Sequence, residues 1–236
     1  MREFDGSTLF YKLVRLIGSP FRYRVIGMEN VRDGGPALFV ANHLGSAGPL
    51  ASIASMPLRL YPWVIAEMTD FRRAPRYLYD DFVHPTWHLS GALGMAVSFV
   101  VSRVGVTVIN GLGSVSVERN LGESFGAFRR SLDLLSKGKN VLVFPEDDQQ
   151  PADPATRFHP WMCGFVGLCG MHERETGKKL PIYPTAVYPE THTIAVGQPL
   201  FYENNASRRL DVRRTCDLLK QKVAELYLAL QAGSLT

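Results

Sequence analysis

Residues 36–50 read PALFVANHLGSAGPL, an apolar run that stops abruptly at Asn42 and His43. Ala37–Ala41 carries no charge, which predicts a short buried strand, and Asn42 and His43 follow where that strand ends. Polar side chains at the carboxyl ends of parallel strands commonly form binding sites. An imidazole titrates near neutral pH, so His43 is a candidate base that takes a proton from a hydroxyl and returns it. The alternative is a structural histidine beside the helix predicted from Ser46.

The rest of the chain alternates strand and helix patterns. Further strands are predicted near residues 61–66, 104–117, 141–144 and 180–187, and helices over 46–56, 121–137 and 208–230. This alternation predicts a single α/β domain over residues 1–236, with a mostly parallel central sheet flanked by helices. We expect the strands at Leu38, Val117, Val143 and Ile182 to lie side by side.

Two apolar segments raise the question of membrane contact. Residues 7–17 have leucines at helical spacing with Lys12 and Arg15 opposite, and aromatic and basic residues follow. We therefore expect residues 1–24 to form an amphipathic interfacial segment, 25–200 the core and 201–236 a C-terminal helix. Residues 82–117 carry Arg103 as their one charge, but repeated glycines favour a buried or interfacial segment over a span.

Composition narrows the partners. The 26 basic and 22 acidic residues leave a net charge of +4, which is too mild to indicate nucleic acid but suits an anionic membrane surface. Cys163, Cys169 and Cys216 form no CxxC pair, which predicts buried thiols in a reducing compartment. With no secretory signal pattern at the N-terminus, we expect a cytoplasmic protein on the inner face of a membrane.

A metal site is a weaker hypothesis. His84 and His88 have i, i+4 spacing, yet Pro85 lies between them and no HExxH pattern occurs. We therefore expect no metal.

Four sequence blocks occur in a suggestive order: Asn42-His43 with Gly48 after four residues, GSVSVER at Gly113–Arg119, FPEDDQ at Phe144–Gln149, and LPIYPTAV at Leu180–Val187. The order of these four blocks resembles that in the glycerophospholipid acyltransferase family (1-acyl-glycerol-3-phosphate acyltransferase-like). In that family the first block reads NHxxxxD and the third reads FPEGTR. The chain departs from that pattern at Gly48, which occupies the aspartate position. It departs again at Asp147, Asp148 and Gln149, which replace glycine, threonine and arginine.

The resemblance implies a function and a set of site residues. It implies that His43 acts as base on an acceptor hydroxyl that attacks an acyl thioester, either acyl-CoA or acyl carrier protein, without a cofactor. It also implies substrate-binding roles for Asn42, Arg119, Phe144, Pro145 and Glu146.

The missing aspartate leaves two interpretations open. Asp147 or Asp148 could orient His43 in place of an acid at Gly48, and their charges would repel a phosphate, which favours an acceptor other than glycerol phosphate. Alternatively, Glu146 caps a helix and the two aspartates form a solvated turn. We expect an acyltransferase acting on a lipid-type acceptor; the alternative is an inactive relative that binds lipid or a partner protein.

Overall fold

The structure, a computed structural model, describes residues 5–32, 35–45, 47–118, 125–205 and 207–235. Within this part of the chain the strands are β1 (Arg24–Ile26), β2 (Ala37–Ala41), β3 (Leu60–Ile65), β4 (Val115–Val117), β5 (Asn140–Val143), β6 (Ile182–Tyr188) and β7 (Thr193–Val196). The helices are α1 (Thr8–Ile17), α2 (Ala47–Ser55), α3 (Ala74–Leu78), α4 (His84–Trp87), α5 (Gly91–Leu112), α6 (Phe125–Ser136), α7 (Gly167–Thr176) and α8 (Arg208–Gln231).

The strands form one sheet in the order β1-β7-β6-β2-β5-β3-β4. All neighbouring pairs are parallel except β6 and β7. The predicted α/β fold with a mostly parallel sheet is therefore confirmed. One detail of the predicted order is wrong, because β3 lies between β5 and β4 and separates Val117 from Val143. The order of the sequence blocks did not reveal this insertion.

The chain forms two compact units. The first takes the described residues of 1–14 and 63–127, including α5, α3 and β4; the second takes those of 15–62 and 128–236. In the second unit β2 is almost fully buried, and α8 packs its Val223 and Tyr227 side chains against Tyr188 and Phe158. Burial of a large aromatic side chain contributes about 2 kcal/mol or more, so this cluster fixes α8 on the sheet. Leu210 and Leu218 of α8 are exposed.

The apolar tract is helical where we expected a strand. α5 continues to Leu112 and ends at Gly113, whose φ of +80° closes the helix, so only residues 115–117 form a strand. The β-propensity of valine and isoleucine is weak, and tertiary packing overrides it here. α5 is also long and apolar enough to cross a membrane by length and composition, a criterion that the core helix of a soluble protein can also meet.

The prediction of three free thiols is wrong. Cys163 and Cys216 form a disulfide with a Cα–Cα distance of 5.5 Å, which links the turn Cys163–Val166 to α8. The sequence separation of 53 residues hid this proximity. Cys169 is free and buried, and burial raises its pKa to about 12. The disulfide removes the cysteine argument for a reducing compartment.

Candidate active site

Two of the sequence blocks meet at the carboxyl edge of the sheet. β2 and β5 are parallel neighbours with Val40 opposite Val143, so the residues that follow each strand emerge at the same edge. There the backbone N–H of His43 donates to Oε1 of Glu146 at 2.7 Å. The first and third blocks are thus joined by a direct hydrogen bond.

Glu146 is buried, and its carboxylate accepts hydrogen bonds from two backbone N–H groups. Its Oε2 accepts a hydrogen bond from the N–H of His159 at 2.9 Å, while Oε1 accepts that of His43. Burial raises the pKa of the Glu146 carboxyl, and the two N–H bonds act in the opposite direction. Because each carboxylate oxygen accepts a hydrogen bond from the main chain, Glu146 fixes the backbone positions of His43 and His159.

Asn42 is fully buried and faces the neighbouring strand β6. Its Nδ2 donates to the carbonyl of Val187 at 2.9 Å, and its Oδ1 accepts the N–H of Val187 at 2.7 Å. This pair copies the hydrogen-bond pattern of one strand beside another and extends β2 by one residue. It fixes where the chain leaves the sheet, directly before His43.

Gly48 braces His43 through the main chain. After His43 the chain turns through Leu44 and Gly45, with φ values of +45° and +64°, and the N–H of Gly48 then donates to the His43 carbonyl at 3.1 Å. A Cβ at position 48 would lie 2.3 Å from the His43 carbonyl oxygen and 2.7 Å from that of Asn42. No side chain fits this backbone, so an aspartate at position 48 would require the turn to move.

The ring of His43 is half-buried against Phe144, with ring centroids 5.3 Å apart in an edge-to-face arrangement. Burial lowers the pKa of His43, the charge of Asp148 raises it in part, and His159 lowers it further. The ring is therefore neutral at neutral pH, the state in which an imidazole accepts a proton. Within the described residues, no carboxylate makes a hydrogen bond to this ring.

The two aspartates after Glu146 differ in their surroundings. The carboxylate of Asp147 accepts hydrogen bonds from the Gln149 N–H at 3.3 Å and from Gln150 Nε2 at 2.7 Å, so it is held within its own turn. Asp148 is exposed, and its charge reaches His43. Of the two predicted acids, Asp148 is the one whose charge affects the pKa of His43.

A loop carrying His159 closes over this edge of the sheet. The N–H of Asp147 donates to the Pro160 carbonyl and that of Met162 to the Pro145 carbonyl, both at 2.8 Å, so the two ends of the loop are paired. Pro145 is buried at this junction. The loop is thereby fixed beside the end of β5.

His159 is a site residue that the sequence did not reveal. Its Nδ1 lies 2.6 Å from the carbonyl oxygen of Gln150, and since a carbonyl only accepts, Nδ1 carries a proton and donates. His159 stands outside the four blocks, in a polar loop without periodicity. A signal was its position between Phe158 and Pro160, where an apolar residue and a proline frame a single polar side chain.

Three further predicted positions remain, namely Arg119, His84 and His88. Arg119, the arginine of the second block, lies outside the described residues. His84 is on α4, whereas His88 follows it with a φ of +56°, so the pair does not share one helical face. Across the described residues, no group of three or more His, Cys, Asp or Glu side chains is placed to hold a metal ion.

The fold can be compared with known structures. The chain is similar to the crystal structure of the 1-acyl-sn-glycerophosphate (LPA) acyltransferase PlsC from Thermotoga maritima, with a TM-score of 0.53 and 14% sequence identity over 94% of this chain and 80% of that one. No protein-family model matches the sequence, and no curated protein matches it. The chain therefore has the α/β fold seen in this acyltransferase. At 14% identity the similarity extends to the fold alone.

Proposed function

We propose that this protein is an acyltransferase of the glycerophospholipid type. It moves a fatty acyl group from an acyl thioester, acyl-CoA or acyl carrier protein, to a hydroxyl of a lipid-type acceptor. The observation that carries the proposal is the hydrogen bond from the His43 N–H to Glu146, which unites the first and third blocks around a neutral imidazole. The PlsC-like fold supports the same reaction class.

In the proposed reaction His43 is the base. Its ring takes the proton of the acceptor hydroxyl as the oxygen attacks the thioester carbonyl, and the carbon–sulfur bond then breaks. The thiolate leaves and receives the proton back from the imidazolium, so the enzyme returns to its starting state. A lowered pKa suits this role, because a larger fraction of His43 is unprotonated at neutral pH.

The other site residues are assigned by their contacts. Glu146, Asn42 and Gly48 act as positioning residues, since their polar groups are used to hold main chain around His43. Asp148 stabilises the imidazolium electrostatically, since its charge raises the pKa of His43. Phe144 packs against the ring, and substrate binding by Pro145 and acceptor binding by Arg119 stay predictions.

The acceptor group near His43 is proposed to carry no phosphate. Asp148 is exposed and its charge affects the pKa of His43, so a phosphate bound beside the His43 ring would be repelled by this carboxylate. A neutral hydroxylated lipid is therefore a better acceptor than glycerol phosphate.

An inactive relative that binds lipid or a partner protein is the second candidate. The observation that favours it is Gly48, since the backbone there has no room for the carboxylate expected to orient the base.

A direct assay separates the two candidates. Purified protein is given acyl-CoA or acyl carrier protein thioesters of several chain lengths with a panel of mono- and diacylglycerols, lysophospholipids and long-chain alcohols. Thiol release is measured together with the mass of the acylated product. We expect acceptor-dependent ester formation; lipid binding without any ester product would establish the inactive relative.

We further propose that α1 lies on a membrane surface. Leu9, Leu16 and Ile17 are each at least two-thirds exposed on one side of this helix, whereas Phe10 instead packs against Gly111. Replacing the three exposed residues with glutamine should reduce co-sedimentation with anionic liposomes, with exposed leucines of α8 replaced as control. Unchanged sedimentation would refute this role. Location on the cytoplasmic inner face stays a prediction.

A further inference from the structure

In the first unit, one face of α5 exposes large apolar side chains to the solvent. In the first three turns of α5 the buried positions are small or polar, namely Gly94, Ser98 and Ser102, and apolar side chains are buried only further on, at Val106 and Leu112. Large apolar side chains of the first half instead point outward. The exposed set is Leu93, Phe99, Val100 and Val104, each about half to two-thirds accessible. A helix packed on a soluble core has the opposite pattern. Contiguous exposed apolar surface of this kind marks an interaction site.

The serine and threonine hydroxyls and the asparagine amide of α5 donate hydrogen bonds within the protein instead of to water. The hydroxyls of Ser98, Ser102 and Thr107 donate to carbonyls of the same helix at 2.7–2.8 Å, and the Asn110 amide donates to Thr69. Serine and threonine satisfy themselves in this way in apolar surroundings. The helix is thus equipped to lie in a medium that offers no hydrogen bonds.

The charge on this face favours a lipid surface over a second copy of the chain. Arg103 is the sole charged residue in 82–117, and its guanidinium stacks over the rings of Phe99 and Phe71 at 4.7 and 5.1 Å. Two copies meeting through this face would each bring an Arg103 without an acid from the tract to pair with it. At a membrane the long side chain reaches up to anionic headgroups while its stem stays in the apolar region.

The packing of the opposite face indicates that α5 lies along the membrane. α5 packs on α3 and on the turns Ala66–Thr69 and Tyr79–Val83, which carry Arg76, Glu67 and Asp80. A helix that crossed the bilayer would take these charges into hydrocarbon, which costs several kcal/mol for each one. Trp87, about half exposed before the helix starts, suits the headgroup level.

We propose that α5 is a monotopic membrane element, which lies in the plane of an anionic bilayer with its Leu93–Val104 face in one leaflet. This interaction does not depend on acyl transfer. His43→Ala should keep full vesicle binding whether or not the protein proves to be an enzyme.

The binding test compares matched triple variants. Leu93→Gln, Val100→Gln and Val104→Gln change the proposed face, and Leu210→Gln, Leu218→Gln and Leu228→Gln change three exposed leucines of α8. Binding is measured with phosphatidylcholine vesicles that contain a minority of phosphatidylglycerol. We expect the α5 variant to lose ~1,000-fold in partition coefficient, since each of the three apolar side chains contributes about tenfold, and the α8 variant to bind like wild type. Equal binding by all three proteins would overturn the proposal.

The orientation test places a nitroxide label at Leu93→Cys or Val104→Cys. The native cysteines do not interfere, because Cys163 and Cys216 are paired and Cys169 is buried. These two positions are roughly 16 Å apart along a helix. Equal depth in the bilayer is expected, whereas depths that differ by about that distance would show a spanning helix. A lipid-free dimer that the α5 variant dissociates without loss of vesicle binding would assign the face to a second copy.

Discussion

Gly48 changes the way in which the main chain of His43 is held. In the family pattern a carboxylate occupies this position, whereas here the Gly48 N–H holds the His43 carbonyl and Glu146 holds the His43 N–H. Both backbone polar groups of His43 are therefore fixed. The ring itself is steadied by contact with Phe144 and is influenced by the charge of Asp148.

The first prediction concerns the space at position 48. Gly48→Ala should destabilise the protein by about 1–3 kcal/mol, because the new Cβ collides with main-chain oxygens that cannot move independently. The measurement is urea unfolding followed by circular dichroism. Gly126→Ala is the control, since an added Cβ there meets nothing within 4 Å. Equal stability of both variants would show that the turn after His43 adapts freely.

The second prediction concerns pH. Burial lowers the pKa of His43 below its ordinary value of 6.5, so the rate of acyl transfer should be constant above that pH and fall as acid protonates the base. Asp148→Asn removes the charge that raises the pKa, so the acid limb should move to lower pH. Asp147→Asn should leave the limb in place, because that carboxylate is held in its own turn. A limb that moves to higher pH in Asp148→Asn would contradict the electrostatic account.

At the scale of elements, the sequence predicted segments that carry one clear pattern. β2 was expected at residues 37–41 and lies there. A short run without charges, placed between a turn and a polar pair, is compatible with few structures other than a buried strand. α5 was missed because valines and threonines fit either a helix or a strand, and its outer face lacks the polar residues that reveal a helical period in water. The disulfide was missed because no local pattern records a contact between residues 53 positions apart.

The third prediction tests that disulfide. Closing a loop of 53 residues should stabilise the fold by roughly 3–4 kcal/mol through the unfolded chain. We expect Cys163→Ser with Cys216→Ser to lower the free energy of unfolding by that amount. Reduced wild type should match the double variant. In oxidised, denatured protein thiol titration should find one free cysteine, Cys169; finding three would contradict the pairing.

At the scale of the whole molecule, the predicted fold class was right because alternating strands and helices permit few architectures. The meeting of His43 with the FPE residues also followed from the sequence, since parallel neighbours present their carboxyl ends together. The insertion of β3 between β5 and β4 did not follow, nor did the position of His159. The position of β3 depends on where a crossover connection returns to the sheet, and the position of His159 depends on the path of a loop. Local sequence patterns do not encode either path.

The central claim is that His43 is the base of an acyl transfer. Its most direct test is the initial rate of ester formation by wild type and His43→Gln with the best acceptor, with exposed His84→Gln as the control. We expect His43→Gln to lose on the order of a thousandfold in rate while its melting temperature stays near that of wild type, since general base catalysis typically contributes that much. His84→Gln should retain the wild-type rate. Equal rates for wild type and His43→Gln would contradict the account.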